Sequence, residues 1–345
     1  MAKPRIVYLD ILRVIACCMV VLMHSPHPKA GLSAVLEVPI YYGTAAGLCL
    51  FFMVSGALLL PAKAGTKEFL QRRMGKIIGP LLVWTIFYIS LNLVKGEMVA
   101  QDLPKSLLSI PFSAQGFGVL WFMYTLTGLY LLTPILSPFL QKASRRELHF
   151  YLLLWIISMC YPYIAVLVSL NWEPTGVLYY FSGFVGYFLM GYYLNHYKPN
   201  IRSLSLIGML VVPFLVLASE KYFSFHVNTP FDTSYLNILV LSMCITWFVG
   251  IRKVTEKYIL QSNFFEQFLT ELSNACFGIY LMHRLVMRYV LWNCDFIVYS
   301  FGGIGQLVIT WLLTLIISFV ITWAISHLPY SEYIIGYRNY RKKNV

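Results

Sequence analysis

The sequence predicts an all-α protein that crosses a membrane about ten times, with both termini on the cytoplasmic side. Three observations predict it. Hydrophobic residues make up 59% of the 345 positions and charged residues only 12%, with a mean hydropathy of +0.70. A soluble domain carries about 25% charged residues and roughly 45–50% apolar ones, so this chain lacks the polar groups to cover a globular surface. The apolar residues come in long continuous runs, unlike the roughly ten-residue alternating segments of a membrane β-barrel. The 26 Lys and Arg residues gather at alternate ends of those runs. A soluble enzyme, a disordered chain and a disulfide-stapled secreted domain are excluded.

A spanning helix needs about 20 mainly apolar residues. Ten stretches meet that need: Ile6–Ser25, Ile40–Leu60, Ile77–Val94, Val119–Leu140, Phe150–Ser169, Val177–Asn195, Leu204–Ser219, Ser234–Gly250, Leu272–Trp292 and Gly303–His327. The first carries Asp10 and Arg13 and has no clear small-residue cleavage site behind it, so it reads as a span rather than a removable signal. Pro134 and Pro138 predict a kink in the fourth. The seventh is short and contains Pro213, and the ninth contains His283, Arg284 and Arg288. The loops are short, the longest outer one running from about Lys95 to Gly118. The chain therefore reads as one transmembrane domain over 1–345, with a basic tail from about 328.

Positive charge at span ends sets orientation. With the N-terminus inside, 19 of the 26 basic residues are cytoplasmic: Lys3, Arg5, Lys63, Lys67, Arg72, Arg73, Lys76, Lys142, Arg145, Arg146, Lys198, Arg202, Arg252, Lys253, Lys257, Arg338, Arg341, Lys342 and Lys343. Only Lys29, Lys95, Lys105 and Lys221 fall outside, while Arg13, Arg284 and Arg288 lie within the runs. The net charge of +12 is thus mostly topology, and no nucleic-acid partner is expected. The seven cysteines are mostly within spans, where Cys acts as a small apolar residue. They show no metal-ligand spacing, and no metal is expected.

Ionisable groups inside a membrane are costly and mark function by default. Arg13 and His24 are eleven residues apart, close to three helical turns, so they share a face about 16 Å apart along the axis. Asp10, one turn before Arg13, is placed to pair with it. The plainer alternative is a structural ion pair with an interfacial histidine. Between the second and third spans, Arg72, Arg73 and Lys76 form a basic cluster suited to phosphate, or simply to anchoring at anionic lipid. Tyr280, His283 and Met287 follow helical spacing on one face, and Arg284 and Arg288 lie on a neighbouring one. Those guanidinium groups must meet carboxylates, carbonyls, water or an anionic ligand. Ser55 places a hydroxyl in mid-span beside Gly56, the mark of a close helix crossing, and Trp121 and Tyr124 begin the fourth span as an aromatic belt or a sugar platform.

These residues carry a resemblance. YLDILRVIACCMVVLMHS from Tyr8 to Ser25, with Arg13, ten residues and His24, resembles the opening motif of the integral-membrane acyltransferase family 3. FFMVSG at Phe51–Gly56, the basic turn Arg72–Pro80, Trp121-Phe122 and FGIYLMH at Phe277–His283 are similar to further motifs of that family, in the same order. Lys76 stands where the family commonly has Arg, so a bidentate phosphate contact becomes a point-charge contact. No esterase-like domain is expected after the last span.

The resemblance implies an O-acyltransferase of the bacterial cytoplasmic membrane. Its donor would be an acyl-CoA, usually acetyl-CoA, acting as a substrate, with no permanently bound cofactor. Its acceptor would be a hydroxyl of a membrane-associated surface glycan, lipid-linked or exported. His24 would act as general base or transient acyl acceptor, with Arg13 orienting the donor and held by Asp10. Arg72, Arg73 and Lys76 would dock the CoA phosphates. Tyr280, His283, Arg284 and Arg288 would bind donor or acceptor, and Ser55, Trp121 and Tyr124 would line the cavity. Two rival classes fit the same charges: a transporter or flippase, which paired broken spans and inverted repeats would favour, and a structural membrane subunit. Oligomeric state is not legible.

Overall fold

The structure is a computed structural model that describes residues 5–27, 34–114, 119–167, 177–223, 235–258 and 263–339. Lys3, Lys29, Ser169, Ser234, Arg341, Lys342 and Lys343, which figured in the topology, lie outside the described residues. Among the described residues there is no strand. The helices are α1 Val7–His24, α2 Ala34–Leu59, α3 Thr66–Val94, α4 Leu103–Ser109, α5 Trp121–Lys142, α6 Arg145–Leu167, α7 Val185–His196, α8 Ser203–Phe223, α9 Ile238–Lys257, α10 Asn263–Val286, α11 Asp295–Tyr299, α12 Gly303–Ser326 and α13 Glu332–Ile335.

Six helices are long and apolar enough to cross a membrane by themselves: α1, α2 over Ile40–Leu59, α3, α5, α9 and α12. The other four expected spans take different forms. Helices α6 and α8 occupy the fifth and seventh stretches. The ninth is α10, continued through Met287–Leu291 by a wider π-helical turn. The sixth is not one helix. Gly183 has φ +111, which only glycine adopts easily, and it separates a 3₁₀ turn at Val177–Phe181 from the 12-residue α7. At 1.5 Å per residue α7 is about 18 Å long, short of a hydrocarbon core of about 30 Å. Helix α5 continues through both Pro134 and Pro138.

The distribution of polarity is that of a protein solvated by lipid. On α12 the exposed side includes Ile304, Val308, Leu312, Ile316 and Val320, while Thr310, Thr314, Ser318 and Thr322 are fully buried. A water-soluble helix has the opposite arrangement. Thr314 Oγ1 donates to the Thr310 carbonyl at 2.6 Å and Thr310 Oγ1 accepts from Gln306 Nε2 at 3.0 Å, whereas Ser318 Oγ has no hydrogen-bond partner among the described residues. Small residues let neighbouring helices approach. A Cβ added at Gly278 of α10 would lie 2.4 Å from Thr322 Cγ2 of α12.

Helix α2 is the centre of the bundle, packed on α1, α7 and α9. Phe52, Met53 and Leu50 are completely buried there. Its crossing with α7 is closed by glycine on both sides. A Cβ on Gly56 would sit 1.8 Å from the Phe188 carbonyl oxygen, and one on Gly191 would sit 1.9 Å from that of Met53.

Arg252, only 2% exposed, ties α9 to the end of α7. Its Nη1 donates to Leu194 O at 2.6 Å and its Nη2 to Pro199 O at 2.8 Å. Arg252→Met is expected to lower stability by about 2–3 kcal/mol, because two carbonyls lose charge-assisted partners. A lowered melting midpoint of the purified protein checks it.

Candidate active site

Helices α1 and α10 run side by side in the same direction. Arg13 Nη1 donates to Ser273 Oγ at 3.0 Å, Cys17 Sγ lies 3.7 Å from the Cys276 carbonyl, and the rings of His24 and His283 stack with centroids 5.3 Å apart. Eleven residues of α1 thus match ten of α10, and the pair sets out the whole site along one axis.

At the N-terminal end of α1 lies a cavity of about 310 Å³. Arg13, Ser55, Arg73, Lys76, Ser273, Asn274, Tyr130, Tyr280 and Tyr337 supply its polar lining, and Phe51, Phe122 and Phe277 its aromatic walls. Arg73 and Lys76 do not come from a loop, as the basic-turn reading had it. Helix α3 starts at Thr66, so the two residues stand one turn apart on its first turns. Arg72 lies in an adjoining groove that shares Lys76, Asn274 and Tyr337 with the cavity, and it forms an exposed 2.5 Å ion pair with Glu68.

Asp10 is buried and its nearest cation is not Arg13. Arg5 Nε donates to Asp10 Oδ2 at 2.7 Å, and Ser273 Oγ donates to Oδ1 at 2.6 Å, whereas Arg13 Nη1 is 3.6 Å from Oδ1. Arg5 also reaches Asn274 Oδ1 at 3.0 Å. The pairing expected from the i,i+3 spacing is therefore secondary. Arg5 takes most of the carboxylate, which leaves the Arg13 guanidinium incompletely neutralised at the cavity wall.

The far end of this cavity is closed by Tyr280, whose hydroxyl donates to the Val119 carbonyl and whose ring is 5.7 Å from that of His283. His283 is fully buried. Its Nδ1 is 2.5 Å from the Tyr280 carbonyl. A carbonyl only accepts, so Nδ1 carries the proton and a neutral ring presents its lone pair at Nε2. That nitrogen is buried with no hydrogen-bond partner among the described residues.

Beyond the histidines, at the C-terminal end of α1, a second cavity of about 630 Å³ is lined by His27, Lys95, Arg284, Arg288, Tyr289, Trp292 and Asp295, among others. Arg284 and Arg288 thus stand apart from Arg72, Arg73 and Lys76, with the histidine pair between the two groups. Arg288 finds a carboxylate, Glu97, at 3.2 Å. Trp121 and Tyr124 line neither cavity. Trp121 packs on Phe184 and Tyr235 at 5.7 and 5.5 Å, and Tyr124 donates to the carbonyls of Ile110 and Ser113.

Several lining residues escaped the sequence reading. Ser273 and Asn274 had a signal: Ser273 precedes His283 by ten residues, nearly repeating the Arg13–His24 separation. Tyr130 and Tyr337 had none. Tyr337 follows the short helix α13, which folds back on α3; Trp84 Nε1 donates to the Ile334 carbonyl at 2.9 Å. Gly336 makes that return with φ +78 and leaves no room for a Cβ, which would meet Phe277 at 2.5 Å. Burial pushes the Tyr337 phenol up from its ordinary 10, so it stays a neutral donor at the cavity wall.

The fold and this site define a multi-pass helical membrane protein with a histidine pair, His283 buried and His24 partly buried, set between two polar, cation-lined cavities. The model of the acyltransferase domain family, acyltransferase family 3, matches residues 6–327. The chain belongs to that family and is a membrane acyltransferase. No curated protein and no solved structure gives a match.

Proposed function

We propose that the protein moves an acetyl group from cytoplasmic acetyl-CoA to a hydroxyl of a lipid-linked or exported surface glycan, in a bacterial cytoplasmic membrane. The observation that carries this reading is the position of His24 and His283 between two separate cavities. A transferase that joins substrates from opposite membrane faces needs that layout. In this reading the CoA phosphates meet Arg73 and Lys76, with Arg72 in the adjoining groove, and the thioester arm passes Arg13 and Ser55 toward the histidines. About 16 Å of α1 separates Arg13 from His24, on the order of the length of that arm.

His24 removes the proton of the acceptor hydroxyl as its oxygen attacks the thioester carbonyl. The C–S bond breaks, the O–acyl bond forms, and the proton passes to the departing CoA thiolate. His283 holds the His24 ring by stacking and presents a second lone pair. Arg13 is left with charge to offer the donor because Arg5 holds Asp10.

Arg73→Gln is expected to raise the KM for acetyl-CoA about tenfold or more with a smaller change in kcat. A lost charge-assisted hydrogen bond is worth about 1.5–3 kcal/mol. Arg72→Gln, exposed and already paired with Glu68, is expected to raise KM much less. Transfer of labelled acetyl from acetyl-CoA to glycan lipids in proteoliposomes checks both. Equal KM for Arg73→Gln and the unaltered protein would refute the donor assignment, and movement of acceptor without label would refute the transferase.

A further inference from the structure

The second cavity carries three cationic side chains, Lys95, Arg284 and Arg288, against one carboxylate, Asp295. Arg284, Lys95 and the Trp292 indole N–H donate and do not accept. Arg288 is occupied by Glu97 at 3.2 Å. Lys95 Nζ rests 3.9 Å from the centre of the Tyr289 ring, an attraction that leaves its N–H groups to other partners. Arg284 differs from both. It has no carboxylate within 4.0 Å among the described residues, and its guanidinium lies 5.9 Å from the Trp292 ring centre. Trp292 Nε1 is buried with no hydrogen-bond partner among the described residues. A buried N–H without an acceptor costs free energy that a bound oxygen would recover. Asp295 is the one acidic residue on the wall and suits hydroxyl groups. At about 630 Å³ the cavity is within the roughly 300–1,000 Å³ typical of small-molecule sites.

Resting on the acceptor-side reading above, we infer that this cavity takes the acceptor through an anionic oxygen group, a sugar carboxylate or a phosphate ester, held by Arg284 beside the Trp292 indole N–H. A guanidinium matches either group with two parallel hydrogen bonds. Arg284 directly follows His283 in the chain, so an anion fixed there brings neighbouring hydroxyls of the same molecule toward the histidine pair. The acceptor is then recognised by its charge, and a neutral sugar of the same shape is a poor one.

The test is equilibrium binding to the full chain in phosphatidylcholine nanodiscs, without donor. The probes are methyl glucuronide, methyl glucoside and a polyprenyl phosphate. Methyl glucuronide or the polyprenyl phosphate is expected to bind at least tenfold more tightly than the glucoside, and the tighter of the two identifies the source of the anion. Arg284→Gln is expected to weaken that binding at least tenfold. Trp292→Phe, which keeps an aromatic though smaller ring and deletes the N–H, is expected to weaken it several-fold. Lys105→Gln removes the same charge from an exposed site away from the cavity and is expected to change nothing. Equal binding of glucuronide and glucoside with no bound phosphate, or anion binding that survives both Arg284→Gln and Trp292→Phe, overturns the inference. Failure of the transferase reading is separately visible: the anion then binds through Arg284 while no label reaches any acceptor.

Discussion

His24→Ala is expected to lower acyl transfer by about 10²–10⁴-fold while the protein still folds and still binds acetyl-CoA. A positioned general base contributes about that much. Alanine removes the imidazole without touching Arg13, Arg73 or Lys76, which lie toward the other end of α1. Donor binding is therefore expected to survive, and the loss should fall on kcat. His283→Ala is expected to lower kcat less, since that ring positions His24 by stacking at 5.3 Å. The measurement is single-turnover transfer of labelled acetyl in proteoliposomes, beside labelled CoA binding. Full transfer by a stable His24→Ala protein removes that residue from the chemistry. A His283→Ala defect as deep as that of His24→Ala moves the base to His283, whose Nε2 lone pair is already available.

Gly56→Ala is expected to disrupt the bundle itself. One methyl group placed 1.8 Å from the Phe188 carbonyl oxygen cannot be accommodated by a rotamer change, because the obstacle is backbone. Helices α2 and α7 must separate, and they do so around Phe52, Met53, Tyr187 and Phe188, all fully buried. Overpacking of a dense core costs about 1–3 kcal/mol. A backbone clash with no room to relax belongs at the upper end. Gly191→Ala is expected to match it, from the other side of the same crossing. Gly128→Ala is the contrast: nothing lies within 4 Å of that position in α5, and alanine is the better helix former. Melting midpoints and the monodisperse fraction in detergent decide it. A Gly56→Ala protein as stable as Gly128→Ala would contradict the close crossing.

The first span was legible because it carries its chemistry at helical spacing. Arg13 and His24 had to share a face, and they do: both meet α10, Arg13 at Ser273 and His24 at His283. The small-residue signal at Ser55-Gly56 was equally sound, since it rests on a steric rule that needs no knowledge of the partner. Arg5 was read only as a cytoplasmic anchor. Its reach of Asp10 depends on where the chain lies before α1, which spacing within the helix does not specify. The sixth span was misjudged for a related reason. Its hydropathy is sufficient for crossing, but hydropathy is blind to the positive φ of Gly183 that breaks it. Trp121 occurs in a family motif, and both it and Tyr124 were expected at the cavity, yet Trp121 serves aromatic packing and Tyr124 donates to carbonyls.

By itself the sequence determined the solvent of this protein, its helical class, its family and the helical face that Arg13 and His24 share. Each of these follows from composition or from contacts within one helix, where 3.6 residues per turn relates position to face. Tertiary structure alone decided which charges are spent and which are free. Asp10 is held by Arg5 and Arg288 by Glu97, leaving Arg13 and Arg284 on the walls of two cavities with the histidines between them. Pairing of charges between segments depends on distances that close only when the helices pack, and no local pattern encodes them.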